Sequence, residues 1–198
     1  MNEVAVPSIA VRNLADVLAD TGTKPFDVAV IGGGPAGSAT AAHLARHGHR
    51  VLVVDRKAFP RDKPCGDCLL ADAQRHLEEL GLLPSVSNAG RVLTNATVFS
   101  PSGYSFDVPG TYVTCQRAVL DTIMLDRAVR DGATFAVADI DELSVVEGQS
   151  VRSHDRLSGL AIQTPIVVVA TGYHASLAKD VDAEPVLLAD LMGEIERA

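Results

Sequence analysis

Residues 26–55 read FDVAVIGGGPAGSATAAHLARHGHRVLVVD, and this stretch decides the fold. Residues 26–31 are an apolar run broken only by Asp27, which suits a strand covered on both faces of a parallel sheet. Gly32 to Gly34 then turns the chain. The alanine-rich segment 35–47 predicts a helix, with Gly48 as its stop. Residues 50–55 (RVLVVD) predict a second buried strand. Strand, glycine turn, helix and strand in that order make one βαβ unit, for which a right-handed crossover is expected.

The turn Gly32-Gly33-Gly34-Pro35-Ala36-Gly37 is a G-x-G-x-x-G. Gly32 lets the chain leave the strand sharply, Gly34 leaves room for a pyrophosphate, and Gly37 lets the helix pack closely on the sheet. The helix N-terminus offers unpaired N–H groups and partial positive charge to phosphates. Asp55 closes the second strand, placed to accept hydrogen bonds from a ribose diol. A 2′-phosphate would meet a like charge there, so a free 2′-hydroxyl is favoured. The unit predicts dinucleotide binding through Gly32, Gly34, Pro35, Ala36, Gly37 and Asp55. Spacing leaves both FAD and NAD open.

Outward from this unit, residues 1–25 read as a leader, with a short helix suggested by Ile9, Leu14, Val17 and Leu18. It is expected to pack loosely and to be flexible. Residues 56–70 read as a long loop and 72–80 as a helix ending at Gly81. Residues 91–108 read as a β-hairpin around a Pro-Ser-Gly turn. Residues 117–130 show helical spacing, 135–146 are strand material, and 164–170 (TPIVVVA) predict another buried strand. A terminal helix is expected over 185–198. The fold class is α/β: a Rossmann-like, three-layer FAD/NAD(P)-binding fold with a parallel sheet and a hairpin or meander insertion. Its divisions are leader 1–25, nucleotide-binding domain 26–176 and helical tail 177–198.

Composition bounds the function. The 198 residues are 47% hydrophobic and 21% charged, with 16 glycines, as in a globular domain. A net charge of -8 argues against nucleic acid or an anionic membrane surface as partner. No secretory signal is visible, and the apolar runs are too short to span a bilayer. Three cysteines make no disulfide framework, which fits a reducing cytoplasm. Cys65 and Cys68 form a CxxC without a second ligand pair, so no metal is expected. Ser153-His154-Asp155 are sequence neighbours, which is not how a triad is built. His43, His47, His49 and His76 lack metal-ligand spacing and read as helix-surface residues.

Residues 27–69 resemble the opening of the geranylgeranyl reductase family, flavoproteins that share the para-hydroxybenzoate hydroxylase fold. VAVIGGGPAGSATAAHLARHGHRVLVVDR followed by FPRDKPCGDCL carries the resemblance. It matches the family at Phe59, Pro60, Arg61, Lys63, Cys65, Gly66 and Asp67. Cys68 departs from it, standing where relatives often have glycine. Arg117 with Leu120-Asp121 is similar to the family's Arg-x-x-Leu-Asp, and Ala170-Thr171-Gly172 to its Ala-Thr-Gly. The resemblance implies FAD as cofactor, with NAD(P)H as candidate reductant and an isoprenoid-type or other small-molecule substrate. It adds Arg56, Lys63, Cys65, Gly66, Arg117, Thr171 and Gly172 to the candidate cofactor contacts, and Ile140 is counted with them. No catalytic residue is assigned.

Members of that family are longer than this chain. Their late Gly-Asp motif and substrate-enclosing region have no counterpart here, so a truncated oxidoreductase is expected. A flavin monooxygenase or halogenase shares the early motifs, although the chain has no tryptophan and so lacks Trp-x-Trp-x-Ile-Pro. A non-catalytic FAD-binding or NAD-binding module is the remaining alternative. Oligomeric state is left open.

Overall fold

The computed structural model describes residues 6–21, 24–65, 67–146, 150–172 and 177. In chain order its elements are α1 (Leu14–Thr21), β1 (Val28–Ile31), α2 (Pro35–Arg46), β2 (Val51–Asp55), β3 (Cys68–Leu69), α3 (Ala71–Glu79) and α4 (Leu83–Ala89). There follow β4 (Arg91–Phe99), β5 (Ser105–Thr114), α5 (Arg117–Arg130), β6 (Thr134–Val137), β7 (Ile140–Val146), β8 (Ser150–Asp155), β9 (Ala161–Thr164) and β10 (Ile166–Val169).

A parallel sheet in the order β10-β1-β2-β6 forms the middle layer. Alternation along its strands sends side chains to two separate cores. Val28, Val30, Val51, Val53 and Phe135 pack with Ala41 and Ala42 of α2 and Leu120, Ile123 and Leu125 of α5. Ile31, Leu52, Val54 and Ala136 pack on the other face with α1 and with Ile140, Leu143 and Ile162 of a β7-β8-β9 meander. The α/β class and the parallel sheet expected from the sequence are therefore present. The hairpin is β4-β5, extended by β3 to three antiparallel strands.

Several expectations need correction. The leader does not pack loosely over its described part. Leu14 and Val17 are fully buried, and Asn13 bridges to Val137, because α1 covers one face of the sheet. Burying such side chains stabilises by about 1.5–3 kcal/mol each, enough to hold a two-turn helix that would not form alone. Residues 135–146 are two strands in different sheets, broken at Ala138 and Asp139. Segment 164–170 likewise divides: Thr164 ends β9, and β10 is an edge strand with Ile166 exposed, not a buried one. Helix α4, with Pro84 in its first turn, and strand β8 have no counterpart among the elements expected from the sequence. The expected terminal helix lies outside the described residues.

Among the described residues no helix is long and apolar enough to cross a membrane, and no side-chain cluster could hold a metal ion.

Candidate functional site

The carboxyl ends of β1, β2 and β10, together with the start of β7, surround one groove of about 650 Å³. Its place follows from topology. From β1 the chain builds β2 and β6 to one side and β10 to the other, so a crevice opens beside β1 at the switch point.

The glycine turn forms the floor. Gly32 has φ +109°, and its N–H donates to the Val54 carbonyl at 2.7 Å. A Cβ on Gly32 would stand 2.4 Å from the Ala170 oxygen, so turn and β10 touch backbone to backbone. A Cβ on Gly37 would meet the Gly32 oxygen at 1.8 Å, which is the close packing that this position was expected to need. Gly34 caps α2 with no side chain to occupy the amides behind it.

Asp55 is almost wholly buried at the end of β2. Its Oδ2 accepts the Gly33 N–H at 2.9 Å and an Arg61 N–H at 3.1 Å; its Oδ1 accepts the Lys57 N–H at 3.1 Å. A carboxylate offers about four lone-pair directions, so three accepted bonds leave Asp55, which lines the groove, capacity for one more. Arg61 also reaches Asp121 of α5 at 3.3 Å and lies over the Phe59 ring, 4.7 Å from its centroid. Asp121 is fully buried and holds Arg117 in a fork, Nε to Oδ1 at 2.7 Å and the terminal nitrogen to Oδ2 at 2.9 Å. The hydrogen bonds that Arg117 donates to Asp121 raise its pKa above the ordinary value, so its charge is fixed.

Of the sequence-derived candidates, Gly32, Gly34, Pro35, Ala36, Asp55, Arg56, Lys63, Arg117, Ile140, Thr171 and Gly172 line the groove. Gly37 stands behind it, in the helix–sheet contact. Lys63 crosses to the β10 end, its Nζ 3.0 Å from where a Gly172 Cβ would be. Cys65 is exposed and does not line the groove. Gly66 lies outside the described residues. Cys68, on β3 opposite Thr114, is also exposed and does not line the groove. Arg61 and Asp121 both fall in motifs that carry the family resemblance, but neither is among the cofactor contacts expected from the sequence. The readable signal for Asp121 was its i,i+4 spacing from Arg117.

Ser153, His154 and Asp155 do not come together chemically. His154 pairs with Asp141 at 2.8 Å, while Asp155 caps the turn after β8. Ser153 Oγ is buried, with no hydrogen-bond partner among the described residues.

The groove suits a dinucleotide diphosphate. Five cations (Arg56, Lys57, Arg61, Lys63 and Arg117) face it against three acids (Asp55, Asp62 and Asp139). Arg61 Nε is a buried donor with no partner among the described residues. A family model described as FAD binding domain matches residues 25–186. The chain belongs to that family. FAD is its cofactor, which decides a choice the glycine motif alone left open.

Three relatives show where this FAD binding domain stands. It is 39% identical to a menaquinone reductase of Mycolicibacterium smegmatis, over 77% of this chain and 39% of that one. A digeranylgeranylglycerophospholipid reductase of Sulfolobus acidocaldarius is 30% identical, over 84% and 38%. Conditioned medium factor receptor 1 of Dictyostelium discoideum is 31% identical, over 78% and 34%. The chain thus spans about two-fifths of these relatives' own lengths or less. Among solved structures, a geranylgeranyl bacteriochlorophyll reductase-like protein of Thermoplasma acidophilum shares the fold at TM-score 0.71 and 18% identity, over 83% of this chain and 43% of that one. The myxobacterial chondrochloren halogenase aligns at TM-score 0.69 and 26% identity, over 80% and 40%.

Proposed function

We propose that this chain is the ADP-holding part of an FAD-dependent reductase that acts on an isoprenoid-type alkene. The observation that carries the binding half of this reading is the cationic groove at the switch point, floored by Gly32 and Gly34 and closed by Asp55. The reductase half rests on the reductase names of the relatives. In this reading Asp55 accepts an adenosine ribose hydroxyl through its remaining lone pair. Gly34 and the α2 N-terminus take the diphosphate, with Pro35 and Ala36 beside them. Arg56, Lys63 and Arg117 add positive charge, while Ile140, Thr171 and Gly172 form the opposite wall. When bound, FAD supplies hydride transfer, with NAD(P)H as the reductant that replenishes it.

A second reading is favoured by the halogenase likeness: the same groove serving a flavin monooxygenase or halogenase. The two readings differ in what the reduced flavin meets, an alkene or dioxygen. Its rate of reoxidation in air with and without a geranylgeranyl substrate separates them.

The first experiment is a fluorescence titration of the chain with FAD, with NAD as competitor, repeated on Asp55→Asn. Saturable FAD binding that NAD does not displace is expected, weakened about tenfold in the variant by loss of a charge-assisted hydrogen bond. A folded chain that binds no FAD would remove the basis for any flavin-dependent activity.

A further inference from the structure

Asp121 is a fully buried carboxylate on α5, one helical turn beyond Arg117. Isolated, a buried charge would be strongly unfavourable, and a buried ion pair stabilises little beyond an apolar replacement. Its partners suggest what it does. Three contacts bind it to two guanidinium groups: two to Arg117 and one to Arg61. Arg61 in turn reaches Asp55 and lies over Phe59, whose ring meets Phe135 edge-on at 5.7 Å. Arg61 is therefore held on three sides, with little freedom to lose on meeting a ligand.

Both guanidinium groups converge on one point. A terminal nitrogen of Arg61 lies 3.5 Å, and one of Arg117 3.9 Å, from where a Cβ on Gly34 would stand. Gly34 is the cap of α2, where the amides of a 12-residue helix begin. Each guanidinium carries five N–H donors, and the two aspartates occupy only part of them. Arg61 Nε, buried and without a partner among the described residues, is one of the donors left over.

We infer that Arg61 is a binding residue for the diphosphate of a dinucleotide, and that Asp121 is the positioning residue that sets Arg61 and Arg117 together against Gly34. This rests on the FAD-holding reading above. The diphosphate meets the α2 N-terminus on one side and two fixed guanidinium forks on the other. The site then distinguishes nucleoside diphosphates from nucleosides more sharply than a glycine turn alone would.

The test measures affinity of the chain for FAD, ADP and adenosine, unaltered and as Arg61→Gln and Asp121→Asn. Circular dichroism and thermal melting establish that each is folded. Arg61→Gln is expected to weaken FAD and ADP about tenfold or more, with adenosine changed less than about twofold. Asp121→Asn is expected to show the same split, although Asp121 is fully buried, and to add less in the Arg61→Gln background than alone. If Asp121→Asn does not fold, Arg61→Gln decides the matter by itself. ADP affinity unchanged in folded Arg61→Gln, or a fall matched by adenosine, overturns this inference and leaves the FAD-holding reading standing. No binding of FAD or ADP to the folded unaltered chain overturns both.

Discussion

A Cβ on Gly37 would stand 1.8 Å from the Gly32 oxygen, whereas one on Gly34 would meet nothing nearer than Arg61 at 3.5 Å. The two glycines of one motif therefore answer to different demands. Gly37 serves the contact of α2 with the turn, and Gly34 leaves open the face a ligand must approach. Gly34 also has φ -74°, which any residue can adopt. Gly37→Ala should destabilise the fold by roughly 3 kcal/mol, read as a lower urea midpoint. Gly34→Ala should cost about 1 kcal/mol or less in stability yet weaken FAD binding at least about tenfold. Equal losses of stability in the two variants would show that the division of roles is wrong. These roles were legible in the sequence because they depend on local backbone geometry. Arg61 and Asp121 were not assigned, because their meeting joins the loop after β2 to a helix that begins at Arg117.

At the scale of elements, Asp155 ties the meander to the parallel sheet. It accepts the Asp139 N–H at 2.8 Å, where the chain passes from β6 to β7, and the amides of Leu157 and Ser158 at 3.2 Å in the turn after β8. Burial pushes the Asp155 carboxyl up, but the Ser158 hydroxyl and these amides outweigh it and hold it below its ordinary 3.8. The unfolded chain therefore binds this proton more readily than the folded one. The stabilisation is fully present above pH 3.8 and is lost as pH falls through the lower folded value. Asp155→Asn should cost about 1–3 kcal/mol at pH 7 and make stability fall less steeply below pH 4. Asp131, also held low against its burial by Arg127 and Arg46, adds to the same acid limb, which is therefore reduced and not abolished. Urea midpoints at pH 7 and pH 3 would show it; an unchanged acid slope would discount Asp155. The helices α2, α3 and α5 and the β4-β5 hairpin were readable because each has its own periodicity and turn residues. The packing of the leader is not legible there, because α1 is held by tertiary burial of Leu14 and Val17, which a short and weakly periodic segment does not announce.

At the scale of the molecule, a chain of net charge -8 gathers five of its 17 lysines and arginines around one groove. Low-dielectric walls focus such a field, so an anionic ligand is drawn to a protein that would otherwise repel it. FAD affinity should fall several-fold between about 0.05 M and 0.5 M salt, as screening shortens the reach of those charges. An affinity that does not change with salt would mean that hydrogen bonds alone carry binding. By itself the sequence determined the βαβ unit, the parallel sheet, the glycine turn and the acid of β2. Those features follow from local propensity, period and spacing, all written in contiguous residues. Only the tertiary structure decided that α1 is part of the core, that 135–146 serves two sheets and that β10 lies at an edge. It alone brought Arg61 between Asp55 and the Arg117–Asp121 pair of α5, because long-range contact of charged side chains depends on how the layers close, and no local pattern encodes that.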